Sequence, residues 1–241
     1  HLAAVVGPEK VTRYPRYTFN VNMGATREII MAVGESQPRI ILTSSSEVYL
    51  PTNKRMLHES DPIGVLNIDH PRASYAVSKI AAEFLTLQYK RGVVVRLFNV
   101  TGPGQSDQYV IPKMVRAALQ GQPVTVYGRG EQTRSFCDVQ DIVEGLVILG
   151  EVKDRAVEGQ IFNLGSDREV SVLELAEMVR QVVKPVEIKF EPYPGHDSRV
   201  MRRRPDIGKM RGLGWEPKIA LRETIRRVAE WEEKRMISGI E

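Results

Sequence analysis

Two short apolar runs flank an Ala-rich stretch, and this order restricts the fold more than any other feature of the chain. Arg39-Ile40-Ile41-Leu42 and Gly92-Val93-Val94-Val95-Arg96-Leu97 each read as a buried strand, because their hydrophobicity is continuous rather than alternating. Between them, Ser74 to Glu83 has the composition and spacing of a helix. The first run leads into Thr43-Ser44-Ser45-Ser46-Glu47-Val48-Tyr49, which delivers hydroxyls at the strand's carboxyl end. Ligands of open α/β sheets bind at that end. The second run closes on Phe98-Asn99-Val100-Thr101-Gly102-Pro103-Gly104.

Within the helical stretch, Tyr75 and Lys79 stand four residues apart and share one face. A tyrosine hydroxyl titrates near pH ~10 and is a poor base at neutrality unless a fixed cation stabilises its phenolate. Lys79 is placed to supply that cation, which makes Tyr75 a candidate acid/base. An ordinary amphipathic helix with a packed Tyr and a solvated Lys has the same spacing, so the assignment depends on the flanking strands.

The rest of the chain alternates short helices and strands. Apolar positions from Thr18 to Val33 recur at helical spacing, with Gly34 placed to end the helix. Leu50 to Arg72 carries Pro51, Pro62 and Pro71 and reads as a loop over the site. Helices are expected over Val110–Leu119, over Val139 to about Leu149 with Asp138 as cap, and over Ala220–Lys234. A further helix opens at the capping-box pattern Ser171-Val172-Leu173-Glu174, and Asp206 starts a short one. Strands are expected at Val124–Val126, Ile161–Leu164 and Val186–Phe190. The glycines of Gly128-Arg129-Gly130 form a turn and not a dinucleotide loop, since no third glycine and no helix follow them.

Composition narrows the function classes. With 241 residues, of which 42% are apolar and 27% charged, the chain is long enough for a full core. No run approaches the ~18 apolar residues of a membrane span, and the single cysteine, Cys137, excludes an intramolecular disulfide. A soluble chain in the cytoplasm, without a membrane or metal partner, is the expectation. The net charge of +4 comes from 34 basic residues interspersed with 30 acidic ones. Only Arg199 to Arg204 is concentrated, and no aromatic-interleaved motif accompanies it, so nucleic acid is not the expected partner.

The order of strand with Ser45, helix with Tyr75 and Lys79, and strand with Asn99-Val100-Thr101-Gly102-Pro103 resembles the extended short-chain dehydrogenase/reductase family. These are the NAD-dependent nucleotide-sugar epimerases, dehydratases and decarboxylases. The resemblance extends over nearly the whole chain, through Val126-Tyr127-Gly128-Arg129-Gly130-Glu131-Gln132-Thr133-Arg134-Ser135-Phe136, Asn163-Leu164-Gly165, Arg203-Arg204-Pro205-Asp206-Ile207 and Leu213-Gly214-Trp215-Glu216-Pro217. One departure is Leu50-Pro51, where family members have Gly after the Val-Tyr pair.

The resemblance implies a Rossmann-like, doubly wound parallel sheet with a smaller α/β C-terminal substrate domain. Residues 1–104 and 132–168 would form the NAD-binding part, and 105–131 and 169–241 the nucleotide-sugar part. The chain opens on His1-Leu2-Ala3-Ala4, which resembles the segment after the fourth strand, so a glycine-rich stretch is expected upstream. Ser45, Glu47, Tyr75 and Lys79 are the implied catalytic residues. Ala3, Ser44, Tyr75 and Lys79 are implied at the cofactor, and Ser46, Asn99, Arg134 and Arg203 at the nucleotide sugar. Asn22 is a candidate for a structural role beside the cofactor. The Ser46-Glu47 pair and Arg203 most resemble UDP-glucuronate decarboxylases, with 4-epimerase, 4,6-dehydratase and a catalytically incomplete binding module as alternatives. A UDP-sugar substrate and a homodimer are further implications.

Overall fold

The computed structural model describes residues 1–33, 37–52, 56–153, 155–192 and 202–238; Gly34, expected to end a helix, and Arg199 of the basic stretch lie outside them. In chain order the elements begin with α1 (Pro8–Arg13), α2 (Pro15–Ala32), β1 (Ile40–Ser45), α3 (Ala73–Gln88), β2 (Gly92–Leu97) and β3 (Val100–Thr101). Next come α4 (Val110–Leu119), β4 (Val124–Tyr127), β5 (Thr133–Ser135), β6 (Cys137–Asp138), α5 (Val139–Glu151) and β7 (Ile161–Leu164). The last are β8 (Glu169–Ser171), α6 (Val172–Val182), β9 (Ile188–Glu191), α7 (Gly208–Gly212) and α8 (Leu221–Ser238). No helix among the described residues is long and apolar enough to cross a membrane.

The chain divides into two compact units. The first comprises His1–Phe98, Glu144–Leu164 and Pro205–Glu216; the second comprises Asn99–Val143, Gly165–Arg204 and Pro217–Glu241. The division falls inside α5, and it assigns residues 99–104 and 132–143 to the second unit.

In the first unit, β1, β2 and β7 form a parallel sheet in that order, with Ser45 opposite Leu97 and Leu97 opposite Leu164. Val93, Val94 and Val95 are fully buried, as expected for a central parallel strand covered on both faces. On the other edge of β1, the His1 amino group donates to the Ile41 carbonyl at 2.7 Å and the His1 carbonyl accepts from Thr43 N at 3.2 Å. That alternation is the parallel ladder pattern. Arg39, at the head of β1, donates through Nη1 to the carbonyls of Leu149 and Val152, satisfying groups that α5 leaves open at its end. The connection from α3 to β2 is tight. A Cβ on Gly92 would lie 1.8 Å from the Thr86 carbonyl oxygen, so only glycine fits there.

Local chemistry explains the helix boundaries. α1 and α2 each start with proline in the first turn, where a missing N–H costs no hydrogen bond. The capping box at α6 is complete: Ser171 Oγ accepts from Glu174 N at 3.1 Å, and Glu174 accepts from Ser171 N at 2.7 Å. Asp138 caps α5 through Gln140 N at 2.8 Å. The core of the second unit is built by Met114, Val115, Val124, Val126, Leu175, Val179, Ile225 and Val228, drawn from α4, β4, α6 and α8. Its strands pair as β3 with β6 and β4 with β9, both parallel, and β5 with β8 antiparallel.

Candidate active site

Ser45 is the last residue of β1 and the cap of a single 3-10 turn, Ser46–Val48. Its hydroxyl oxygen accepts from Glu47 N at 3.1 Å, which fixes the turn and leaves the hydroxyl proton available to a ligand. Ser46 is buried within this turn. The half-exposed Glu47 carboxylate accepts from Arg72 Nη2 at 3.5 Å. A long, partly solvated pair of this kind holds a side chain only weakly.

Helix α3 packs against β1, β2 and this turn. Lys79 is buried, its Nζ donates to the Thr43 carbonyl at 2.8 Å, and the ammonium lies 6.0 Å from the centroid of the Tyr75 ring. Burial lowers the Lys79 pKa to about 8, with Glu83 acting in the opposite sense. Tyr75 and Lys79 are thus neighbours on one face, and the cation is close to the pH at which it releases its proton. Asn22 of α2 supports this arrangement from behind. Its Oδ1 accepts from Val5 N at 2.6 Å, and its Nδ2 donates to Ser78 Oγ at 3.2 Å. Ser78 in turn donates to the Tyr75 carbonyl at 2.7 Å. Ala3 is exposed on the segment that leads from the His1 ladder to Val5.

Ser44, expected at the cofactor, is buried. Its side chain faces the layer between sheet and helix, donating to Glu83 Oε1 at 2.5 Å, and its backbone stands opposite Arg96 in the β1–β2 ladder. Arg96 Nη2 donates to Glu83 Oε2 at 2.7 Å, and both side chains are 2% exposed. The Arg96 guanidinium also lies 4.7 Å from the Tyr49 ring centroid. Tyr49 Oη donates to Asn163 Oδ1 at 2.6 Å, and its pKa is raised to about 12, chiefly by burial, with Arg96 opposing. Glu59 accepts from Asn163 N at 2.8 Å. None of the residues of this polar network is among those expected at the site apart from Ser44. Two signals in the sequence point to it: Glu83 lies one further helical step beyond Tyr75 and Lys79, and Arg96 is a charge inside an otherwise apolar strand, which burial obliges to find a partner.

The remaining expected residues belong to the second unit. Asn99 Nδ2 donates to the Ser135 carbonyl at 3.1 Å, and the Asn99 carbonyl accepts from Cys137 N at 3.0 Å. Arg134 lies on β5 and donates to the Thr133 carbonyl at 2.7 Å. The Arg203 carbonyl accepts from Ser135 Oγ at 3.3 Å, so the Arg202–Arg204 backbone runs beside β5. Arg202 is bound to Glu169 at 2.6 Å, whereas the buried Nε of Arg204 has no hydrogen-bond partner among the described residues. The structure therefore gathers Ser45, Ser46, Glu47, Tyr75 and Lys79 around the end of β1. Asn99, Arg134 and Arg203 gather around β5.

A parallel sheet that ends in a serine and is covered by a Tyr-x-x-x-Lys helix defines a Rossmann-like α/β protein. The chain belongs to the NAD dependent epimerase/dehydratase family, whose model matches residues 1–165. It is 38% identical over 240 residues to UDP-glucuronic acid decarboxylase 4 of Arabidopsis thaliana, covering 92% of this chain and 51% of that protein. It is 33% identical over 245 residues to UDP-N-acetyl-alpha-D-glucosaminuronate decarboxylase of Bacillus cytotoxicus, covering 96% of this chain and 75% of that protein. Among solved structures, epimerase Mth375 of Methanothermobacter thermautotrophicus superposes with a TM-score of 0.85 at 27% identity, covering 98% of this chain and 71% of that one. The chain spans about half the length of Arabidopsis decarboxylases 1, 2 and 4 and 66% of decarboxylases 3, 5 and 6.

Proposed function

We propose that the protein acts in an NAD-dependent modification of a nucleotide sugar and that the reaction is decarboxylation of UDP-glucuronate. The observation that carries this reading is the buried Lys79 ammonium beside Tyr75, fastened to the strand that ends in Ser45. Two relatives add support, since both are named as decarboxylases of UDP-linked uronic acids.

The donor chemistry of this chain fits the nicotinamide-ribose end of NAD. An ammonium has three N–H donors and the Thr43 carbonyl takes one, which leaves Lys79 donors for a ribose hydroxyl. Tyr75, Ser44 and the segment around Ala3 complete that end of the cofactor site. When bound, NAD supplies a hydride acceptor that makes the sugar a 4-ketone and a hydride donor that reduces it again.

The chain's own residues handle the protons and charges. Tyr75, assisted by Ser45 and by the Lys79 cation, takes the proton of the sugar 4-hydroxyl. In a 4-keto uronate the C5–C6 bond breaks, carbon dioxide leaves, and the electron pair is held by the ketone. Glu47, beside the buried Ser46, manages the proton that returns to C5. In the second unit, Arg203 meets the C6 carboxylate, while Arg134 and Asn99 hold the pyrophosphate, because a guanidinium fork and amide donors suit such oxyanions. The first unit is thus the cofactor part and the second the nucleotide-sugar part. A cytoplasmic homodimer completes the reading. The buried Cys137 thiol suits a reducing compartment, and exposed Phe84 on α3 and Tyr17 on α2 offer apolar surface for a second copy.

NMR of the products formed from UDP-glucuronate tests the proposal. A UDP-pentose with release of carbon dioxide is the expected result. Unchanged UDP-glucuronate beside interconversion of UDP-glucose and UDP-galactose assigns the protein to the epimerases instead.

A further inference from the structure

We infer that Glu83, clamped by Arg96, is a positioning residue that ties the Tyr75–Lys79 helix to the Ser45 strand and sustains the charge on Lys79. The inference rests on the proton-handling role proposed for Lys79. Its basis is a single carboxylate that serves three elements. Oε1 accepts from Ser44 Oγ at 2.5 Å, on β1, one residue before Ser45. Oε1 and Oε2 accept from Arg96 Nε at 3.0 and 3.3 Å, and Oε2 accepts from Nη2 at 2.7 Å, on β2. Glu83 itself lies one helical turn beyond Lys79 on α3. Lys79 makes the matching contact, from α3 back to the Thr43 carbonyl. Strand and helix are therefore pinned at two adjacent residues of β1, by one cation and one anion from the same helix.

The charge arrangement has the same geometric origin. Burial penalises the Lys79 ammonium, and Glu83 is the group that supports it. Other charged or titratable groups facing it are Tyr75 from its own helix and Arg96 behind the Glu83 carboxylate. The group that α2 brings close, Asn22, is neutral, as is Ser78 of α3, to which it donates. Arg96 pairs with Glu83 and so allows it to be buried, while the carboxylate still supports the Lys79 charge. Loss of Glu83 thus removes the support of the ammonium, and an unpaired Arg96 cation adds repulsion.

The test is a 13C NMR titration of lysine Cε in the protein, with Lys79→Met identifying the Lys79 signal. Glu83→Gln should lower the Lys79 midpoint by about one pH unit or more. Because Glu83→Gln strands a buried arginine, Glu83→Gln/Arg96→Gln is titrated beside it, and this pair should also lower the midpoint, since no charge is left uncompensated. A wild-type midpoint in either folded variant overturns the inference. Where a nucleotide sugar is turned over, the alkaline limb of kcat should move with the midpoint while the Kd for UDP stays within about twofold. The titration needs no substrate. If the midpoints shift but wild-type protein turns over no nucleotide sugar, the proposed function fails and the inference on Glu83 stands.

Discussion

Lys79 on α3 donates to the carbonyl of Thr43 at 2.8 Å, so the ammonium is fixed to the strand that delivers Ser45 two residues later. This one bond converts a Tyr-x-x-x-Lys spacing, common on helices, into a charge held against a sheet edge.

Replacement of Tyr75 by Phe removes only the ionisable oxygen. Turnover of UDP-glucuronate is expected to fall by at least ~100-fold, the scale of a lost general acid/base, with UDP affinity nearly unchanged. Steady-state kinetics and calorimetry check both. A Phe variant that keeps most of its rate reduces Tyr75 to a packing residue.

Lys79 also makes a prediction for stability. Its pKa is about 8 in the fold against an ordinary 10.5, the first cause being burial and the opposing one Glu83. Between those values the unfolded chain binds more protons than the folded one, so this group makes stability rise with pH across that window. Below about 8 both states are protonated, and the full cost of burying the cation is present. Lys79→Met should therefore raise stability by roughly 1–3 kcal/mol at neutral pH. The advantage should shrink as the pH rises from about 8 towards 10.5. Urea unfolding at pH values on either side of the window measures it, and a variant less stable than wild type at neutral pH contradicts the prediction.

Arg203→Lys keeps the charge and loses the planar fork. Decarboxylation should weaken by roughly tenfold or more, while binding of UDP, which has no C6 carboxylate, changes by less than about twofold. Equal losses in both measurements would remove Arg203 from the carboxylate.

Gly92→Ala places a methyl group 1.8 Å from a backbone oxygen, where no side-chain rotation relieves the overlap. The loss of stability should be on the order of 2–4 kcal/mol, above that of an ordinary surface change. Chemical denaturation reads it directly, and a variant of wild-type stability would require the Thr86 turn to be far softer than its packing suggests.

Much of this molecule is legible in its sequence because the relevant signals are local. The run Gly92–Leu97 is β2 to the residue, Val110–Leu119 is α4, and the Ser171–Glu174 capping box opens α6. Helix α1 and the short strands β3, β5, β6 and β8 are not legible in the same way, since two to six residues carry too little periodicity to register. Ser44 shows the limit at the site itself. Three consecutive serines look equivalent in a sequence, and only the alternation of the strand decides that Ser44 turns inward to Glu83 while Ser45 turns to cap the next turn. The Arg96–Tyr49–Asn163 network joins residues far apart in the chain, so the charge of Arg96 inside an apolar strand signals a buried partner without saying which residues supply it.

The parallel ladder of β1 and β2 closes at the Ser45–Leu97 pair, and Glu47 stands beyond it on a turn that takes no part in the sheet. The side chain proposed to steer the oxidised sugar is therefore a replaceable fitting. Lys79, by contrast, is tied to β1 through the Thr43 carbonyl, and its exchange removes that tie together with the charge. A protein engineer, or natural selection, has freedom to retarget this scaffold at Glu47 that does not exist four residues earlier, at Thr43.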